Sequence, residues 1–217
     1  MNSVMRLVSA ELDELVGVLR DIPESDWDRP SACDGFRVRD VAAHLSLVLA
    51  PMTWRLAKAL AHTPEQIAVI GGAWSIEYAD EHTPAELIGF LEQRVANPRK
   101  GFLGRIDPAD NMLSDHATHV QDVRIGLDRR APHDADRGRA VLDATVRVWR
   151  PVTWGSRERA KNLRLVASDI GWAHGSGPEV SGPYDALLLA LSGRSAGLPL
   201  LSGEGLATLE GRIPAAV

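Results

Sequence analysis

A helical apolar period recurs through the first 127 residues, and it constrains the fold of this 217-residue chain more than any other feature. Apolar residues three or four positions apart share one face of a helix, so the first segment predicts an amphipathic helix. Its apolar face consists of Val4, Val8, Leu12, Leu15, Leu19 and Ile22. Pro23 ends it, because proline lacks the amide hydrogen that a helix needs. A second amphipathic helix is expected from about Arg37 to about Leu60, with Pro51 as a kink.

Two further helices are marked by their first residues. Thr83 provides a capping hydroxyl, Pro84 occupies the first helical position, and Glu86 follows the cap by three residues. The segment that begins at Asp107 repeats this pattern and predicts a fourth helix that ends near Leu127. Four amphipathic helices in succession favour an antiparallel bundle.

The pattern changes beyond Arg130, where a small mixed α/β unit is expected. A further helix over 134–149 is followed by a strand over 163–172, turns around a short strand over 175–182, an apolar helix over 183–191, and a turn with a closing strand over 201–213. The predicted fold class is therefore α+β. We expect two domains, a helical bundle over residues 1–150 and the small α/β unit over residues 151–217.

Composition excludes several classes of protein. The chain has 24 Lys and Arg against 29 Asp and Glu, a net charge of −5, whereas non-specific nucleic-acid binding requires a basic excess. No apolar run approaches the ~18 residues of a membrane-spanning helix. The single cysteine, Cys33, cannot form an internal disulfide. We therefore expect a cytoplasmic protein whose partners include neither nucleic acid nor a membrane.

The fourth helix contains a pair of residues that could hold a metal ion. Asp115 and His119 are four positions apart, so their side chains lie one above the other on one helical face. A carboxylate and an imidazole at this spacing can both reach one divalent cation. His44, on the second helix, borders the apolar face and could complete the set. Three protein ligands leave one position open for water or a thiolate, as in catalytic zinc sites.

These residues also have purely structural interpretations. An Asp and a His four residues apart are more often a solvent-exposed pair, and a lone His among apolar neighbours is usually a hydrogen-bonded core residue. His116 lies within the apolar stripe and is a rival to His119 as a ligand. Asp122 either orients a ligand or pairs with a nearby basic group, and we favour the pairing. Cys33 is expected to be a small buried apolar residue.

Three residues outside these motifs could contact a substrate. His174 and Arg194 could reach a substrate carboxylate if the C-terminal unit covers the site, because a guanidinium suits a carboxylate. Trp54, on the second helix, could line a pocket.

Two stretches of the sequence resemble a known family. The first runs from Trp27 to Leu45 and includes Cys33-Asp34-Gly35 and Ala43-His44-Leu45; the second is Asp115-x-x-x-His119-x-x-Asp122-Val123-Arg124. Both are similar to the signatures of the mycothiol-dependent maleylpyruvate isomerase family, which lies within the DinB-like metal-binding superfamily. The runs 165–180 and 186–194 resemble the second domain of the same group.

The resemblance implies a DinB-like four-helix bundle that holds one divalent metal, followed by a sterol-carrier-like unit. Zinc is expected before nickel or manganese. The ligands implied are His44, Asp115 and His119, and the cofactor implied is mycothiol, a low-molecular-weight thiol. The isomerases have a glutamate where this chain has Asp115, whose side chain is shorter by one methylene, and this separates the chain from the isomerases themselves.

The function implied is that of a divalent-metal-dependent, mycothiol-using isomerase or S-transferase that acts on a small electrophilic substrate, with the metal activating the thiolate. Two other functions stay open. The chain could be a non-catalytic small-molecule or lipid-binding module with a structural bundle, or a thiol-independent metal hydrolase. The expected partners are a small-molecule substrate and a low-molecular-weight thiol, and the chain could form a homodimer.

Overall fold

Helices form most of this protein, and a small sheet lies near its carboxyl terminus. The structure, a computed structural model, describes residues 3–49, 64–101, 104–105, 107–148 and 155–213. Within these ranges the helices are α1 (Ser3–Arg20), α2 (Val38–Ser46), α3 (Pro64–Asp80), α4 (Pro84–Ala96), α5 (Ala109–Gly126), α6 (Ala135–Arg147), α7 (Ser156–Ala160), α8 (Tyr184–Leu191) and α9 (Leu206–Glu210). The strands are β1 (Arg164–Ala167), β2 (Trp172–His174) and β3 (Glu179–Gly182). The predicted α+β class is confirmed.

The N-terminal helices bury the apolar faces that the sequence predicted for them. Val8, Leu12 and Leu15 of α1 are fully buried, where α1 packs against α4 and α5. The start of α4 is also as predicted: Thr83 Oγ1 accepts from the amide of Glu86, whose carboxylate accepts from the amide of Thr83 at 2.8 Å. Because α2 packs against α3, α4 and α5, its residues face the interior of this group of helices.

The second helix differs in part from its prediction. The α-helix ends at Ser46, and Leu47–Leu49 continues it as a tighter 3₁₀ helix, so the predicted helix is not regular throughout. The part of the prediction over 50–60 lies outside the described residues. The amide of Leu47 donates to two carbonyls, three and four residues before it, which is the mixed bonding typical of a helix end. An apolar period reports which side chains face inward and not how the backbone is bonded, so it does not detect this change.

The next helix has no counterpart in the sequence prediction. Glycines and alanines interrupt the apolar pattern of α3, so no single apolar face indicates a helix there. Two sequence-based expectations, the kink at Pro51 and a pocket position for Trp54, lie outside the described residues.

The sheet has the order β2-β1-β3 and mixes two kinds of pairing. β1 pairs antiparallel with β2, with Leu165 opposite His174, and parallel with β3. The single strand predicted over 163–172 is therefore two strands joined by a tight turn. Gly171 makes this turn with a φ of 64°, a conformation that glycine adopts without strain.

The closing strand predicted over 201–213 is wrong. Leu206–Glu210 is helical, and Ser202 contributes one isolated bridge to Ser181. Gly203 has a φ of 114° and lies so close to Glu179 that an added Cβ would be 2.2 Å from its carbonyl oxygen. This conformation turns the chain away from the sheet before a strand can form.

The C-terminal unit shares its hydrophobic core with the helical bundle. The side chains of α8 are buried along nearly its whole length, and α8 packs against α5 and α6. The segment that follows α8 therefore lies beside α5. The division into domains at residues 150 and 151 stays a prediction. Among the described helices, none combines the length and the apolar character needed to cross a bilayer.

Candidate metal centre

The structure brings the three predicted ligands together. One ligand atom from each of His44, Asp115 and His119 lies within 4.8 Å of the other two. Asp115 Oδ1 is 3.7 Å from His119 Nε2, and the ring centroids of His44 and His119 are 4.8 Å apart. The contact between α2 and α5 makes this possible, because α2 contributes one ligand and α5 contributes the other two.

The geometry of this group fits a divalent cation. In a tetrahedral zinc site with bonds of ~2.1 Å, two ligand atoms are separated by ~3.4 Å. The distance of 3.7 Å between Asp115 and His119 is close to that value, and the ligand atom of His44 lies within 4.8 Å of both. Two imidazole nitrogens and one carboxylate oxygen are a donor set that zinc accepts, and they leave one position open.

His119 is held from behind by a buried carboxylate. Its Nδ1 is 2.9 Å from Asp122 Oδ2, and both side chains are buried. Because an ionised carboxylate only accepts, this contact places the imidazole proton on Nδ1 and leaves the lone pair of Nε2 directed to the ligand group. A carboxylate behind a ligating histidine is the usual support of protein metal sites.

Asp122 also forms an ion pair with the C-terminal unit. Arg194 donates from Nε to Oδ1 at 3.2 Å and from Nη2 to Oδ2 at 3.0 Å. Burial raises the pKa of Asp122, but Arg194 and His119 outweigh it and hold the pKa below its usual range. The two interpretations of Asp122 from the sequence therefore hold together, since it contacts both a candidate ligand and a basic group. Arg194 reaches the centre as a partner of Asp122.

His44 is oriented by a residue that sequence reasoning missed. Its Nδ1 is 3.2 Å from Ser75 Oγ, which lies on α3 and is fully buried. This contact leaves Nε2 as the nitrogen available to a cation. Burial lowers the pKa of His44 to about 4, and the nearby His119 acts in the same direction. The imidazole is therefore neutral at pH 7, which is the form that binds metal. The sequence offered no signal for Ser75, because α3 itself was not predicted.

The rival ligand, His116, is a member of neither candidate group found among the described residues. It is buried, and its Nδ1 is 3.5 Å from Asp115 Oδ2. Burial lowers the pKa of His116 to about 4, and the charge of Arg94 adds to this effect. The geometry favours His119 over His116 as the third ligand.

Cys33 belongs to a second group, with His119 and Asp122, whose ligand atoms also lie within 4.8 Å of one another. This group is a poor metal site because Asp122 already occupies Nδ1 of the imidazole. Arg194 Nη2 is 3.2 Å from the sulfur of Cys33, but burial dominates and raises the pKa of the thiol to about 12. Cys33 therefore stays protonated, in agreement with the expectation of a small packed side chain.

His174 does not join this centre. It lies on β2, is exposed, and stacks on Trp172 with ring centroids 5.9 Å apart. The predicted contact of His174 with a substrate carboxylate therefore has no support from its position.

Comparison with known proteins identifies the family. A family model described as the mycothiol maleylpyruvate isomerase N-terminal domain matches residues 8–158, which is more than two thirds of the chain. The chain belongs to this family. The matched residues include all three candidate ligands, His44, Asp115 and His119.

Solved structures show the same fold at low sequence identity. The chain is similar to the crystal structure of the mycothiol-dependent maleylpyruvate isomerase, with a TM-score of 0.54 and 16% identity, covering 99% of this chain and 95% of that one. A histidine-to-alanine mutant of that isomerase is similar at a TM-score of 0.54 and 17% identity, with the same coverage. No curated protein matches the chain. The likeness therefore extends over the whole chain, including the C-terminal unit that the family model does not cover.

Proposed function

We propose that this protein is a divalent-metal-dependent enzyme that uses a low-molecular-weight thiol, mycothiol or a close relative, to isomerise or S-transfer a small electrophilic substrate. The observation that carries the proposal is the convergence of His44, Asp115 and His119, three ligands that would leave one position of a tetrahedral cation open. Membership of the mycothiol maleylpyruvate isomerase family supports the thiol and favours isomerisation over transfer.

Each residue of the centre has a distinct role in this proposal. His44 and His119 each offer an imidazole nitrogen, and Asp115 offers a carboxylate oxygen. These residues would hold a divalent cation, whose Lewis acidity would favour the thiolate form of an external thiol near neutral pH. Asp122 and Arg194 hold His119 in the orientation and tautomer that this requires. Cys33, whose thiol stays protonated, leaves the external thiol as the nucleophile.

The chemistry then follows from the thiolate. A thiol held beside the candidate ligands would supply a nucleophile that could add reversibly to a carbon–carbon double bond conjugated with a carbonyl group. Rotation about the resulting single bond before the carbon–sulfur bond breaks again would give isomerisation and return the thiol unchanged. On a substrate with a leaving group, the same sulfur could displace that group, and the outcome would be S-transfer.

The test combines metal analysis with two ligand variants. We expect the purified protein to bind about one zinc ion per chain, and His44→Ala and His119→Ala to lose most of it. His174→Ala is the matched control, because that imidazole lies on the exposed side of β2. Full metal occupancy in both ligand variants would show the site assignment to be wrong.

Thiol dependence separates the proposal from a hydrolase with the same centre. The open position of a zinc site can also activate water. We expect turnover of an unsaturated keto acid, maleylpyruvate being the first to test, to require added mycothiol. Turnover at an equal rate without any thiol would favour a thiol-independent hydrolase and reject the thiol mechanism.

A further inference from the structure

Arg94 is a fully buried guanidinium that the proposed reaction does not use. It lies on α4, is 1% exposed, and donates from Nη1 to the carbonyl of Leu45 at 2.5 Å and from Nη2 to that of Pro98 at 3.4 Å. In the part of the chain that the structure describes, Arg94 belongs to no ion pair, and its Nε has no hydrogen-bond partner. Burial lowers the pKa of Arg94 to about 10, although Asp115 and Asp107 act in the opposite direction. A buried cation without a paired anion is costly, so its retention calls for a reason.

Arg94 binds a carbonyl in the last turn of the helix that carries His44. Leu45 directly follows His44, and α2 ends one residue later. The last four carbonyls of an α-helix have no intrahelical partner, and the amide of Leu47 serves two of the earlier ones, those of Ala43 and His44. The carbonyl of Leu45 is bound by Arg94 instead. The positive charge of the guanidinium also lies at the negative end of the helix, where a cation is favourable.

We infer that Arg94 is a positioning residue of the metal centre: it fixes the last turn of α2 against α4 so that His44 faces Asp115 and His119. This inference rests on the proposed function. Without Arg94, the carbonyl of Leu45 would lose this donor, and the turn that carries His44 would rely on its own backbone bonds, the contact with Ser75 and side-chain packing. Its end would then fray, since the following segment is bonded differently. A tetrahedral site tolerates only small displacements of a ligand, so loosening this turn weakens metal binding before it unfolds the protein.

A purely structural role would have a different consequence. If Arg94 only joined α2 to α4, its loss would lower the free energy of unfolding and leave the affinity of the folded protein for metal unchanged. Metal affinity, measured at a temperature at which each variant is folded, distinguishes the two roles.

The experiment compares Arg94→Met and Arg94→Lys with the wild type. Arg212→Met is the matched control, because Arg212 also caps the end of a helix, donating to the carbonyls of Glu158, Arg159 and Lys161. Zinc affinity is measured by competition with a chromophoric chelator, and the absorption spectrum of the cobalt-loaded protein reports the ligand geometry. Circular dichroism establishes the folded range of each variant.

We expect Arg94→Met to weaken zinc binding about 10- to 100-fold, the range found when supports behind metal ligands are removed, and to change the cobalt spectrum. Arg94→Lys should lose less, because an ammonium keeps the charge but cannot span two carbonyls as the planar fork does. Arg212→Met should lose stability and keep wild-type affinity. Wild-type affinity and an unchanged cobalt spectrum in Arg94→Met would overturn the inference.

Two further outcomes are possible: Arg94→Met does not fold, or the wild type binds no metal. If Arg94→Met does not fold, Arg94→Lys decides, and wild-type affinity and spectrum in that variant would overturn the inference. If the wild type itself binds no zinc or cobalt, the proposed function has failed. Metal binding by the wild type that Arg94 substitutions leave intact rejects only the present inference.

Discussion

Asp122 is the residue on which the orientation of the centre depends most directly. It receives a hydrogen bond from His119 on one side and two from Arg194 on the other, in a fully buried position. Asparagine in its place is nearly isosteric but neutral, and its amide group can present a donor to the imidazole. The tautomer of His119 is then no longer fixed, and Arg194 is left as a buried cation without a carboxylate.

We therefore predict that Asp122→Asn lowers zinc affinity about 10- to 100-fold. A chelator competition assay measures this. Asp143→Asn serves as the control, because Asp143 accepts a hydrogen bond from the indole of Trp172 away from the centre. Equal zinc affinities in the two variants would show that Asp122 does not support the site.

Glu11 is another buried acidic residue, and it pairs with Arg137 and His133 rather than with the candidate metal ligands. Its Oε1 is 3.2 Å from Arg137 Nε and 3.7 Å from His133 Nε2. Burial raises the pKa of Glu11 to about 8, and the nearby Glu14 adds to this, although Arg137 and Arg124 lower it. The folded protein thus holds a proton on Glu11 that the unfolded chain releases above about pH 4.5.

The raised pKa of Glu11 makes the free energy of unfolding depend on pH. As pH rises from about 4.5 to about 8, the unfolded state binds fewer protons than the folded state at Glu11, so this group lowers the free energy of unfolding. Glu11→Gln does not titrate. We predict that its stability relative to the wild type increases with pH over this window, by up to about 1.4 kcal/mol per unit, and levels off above it. Urea unfolding at a series of pH values measures the difference, and a constant difference would contradict the prediction.

At the scale of the element, helix starts were the most predictable feature and helix ends the least. The capping residues Thr83 and Glu86 announce α4 in the sequence because their bonds are local, within three residues. The last turn of α2 accepts a hydrogen bond from Arg94, 49 residues away in the sequence, and no local pattern reports such a contact. Turns with positive φ divided one predicted strand at Gly171 and preceded a helix in place of another at Gly203.

The candidate site likewise has residues that the sequence predicted and residues that it did not. The spacing of Asp115 and His119 on one helix, and the position of His44 at the edge of an apolar face, could be read from the sequence. Ser75 and Arg94 could not, since each reaches the centre through packing of a different helix against α2. Metal binding by the predicted ligands stays a prediction until it is measured.

The cap of α4 gives a test at this scale. We predict that Thr83→Ala lowers the free energy of unfolding by about 1 kcal/mol, because the amide of Glu86 loses its acceptor. Chemical denaturation monitored by circular dichroism measures the change. Thr208→Ala, at an exposed position of α9, should change stability by less than about 0.5 kcal/mol. Equal effects of the two substitutions would exclude the cap as the cause.

At the scale of the whole molecule, the helical bundle and the C-terminal unit share one hydrophobic core, in which α8 is buried. Leu188 of α8 is fully buried, and α8 packs against α5 and α6 as well as against β1 and β3. A core shared in this way couples the unfolding of its two sides.

We predict that Leu188→Ala destabilises the protein by about 2–5 kcal/mol and that unfolding stays a single transition. Tryptophan fluorescence and far-UV circular dichroism should give coincident urea curves, since Trp27 lies in the bundle and Trp172 in the sheet, and both are buried. Leu200→Ala, at a side chain that is 45% exposed, is the control. Two separated transitions would show instead that the units unfold independently.

Arg194 joins the C-terminal unit to the helix that carries Asp122, so the two parts of the chain depend on each other. The guanidinium that neutralises Asp122 is supplied from beyond residue 158, where the family model ends. An N-terminal bundle excised at that boundary would keep every ligand and lose a counter-charge. A related protein with a different C-terminal unit would need another cation beside Asp122, or a neutral residue in place of Asp122. Substitutions in the two parts of the chain are therefore expected to be correlated.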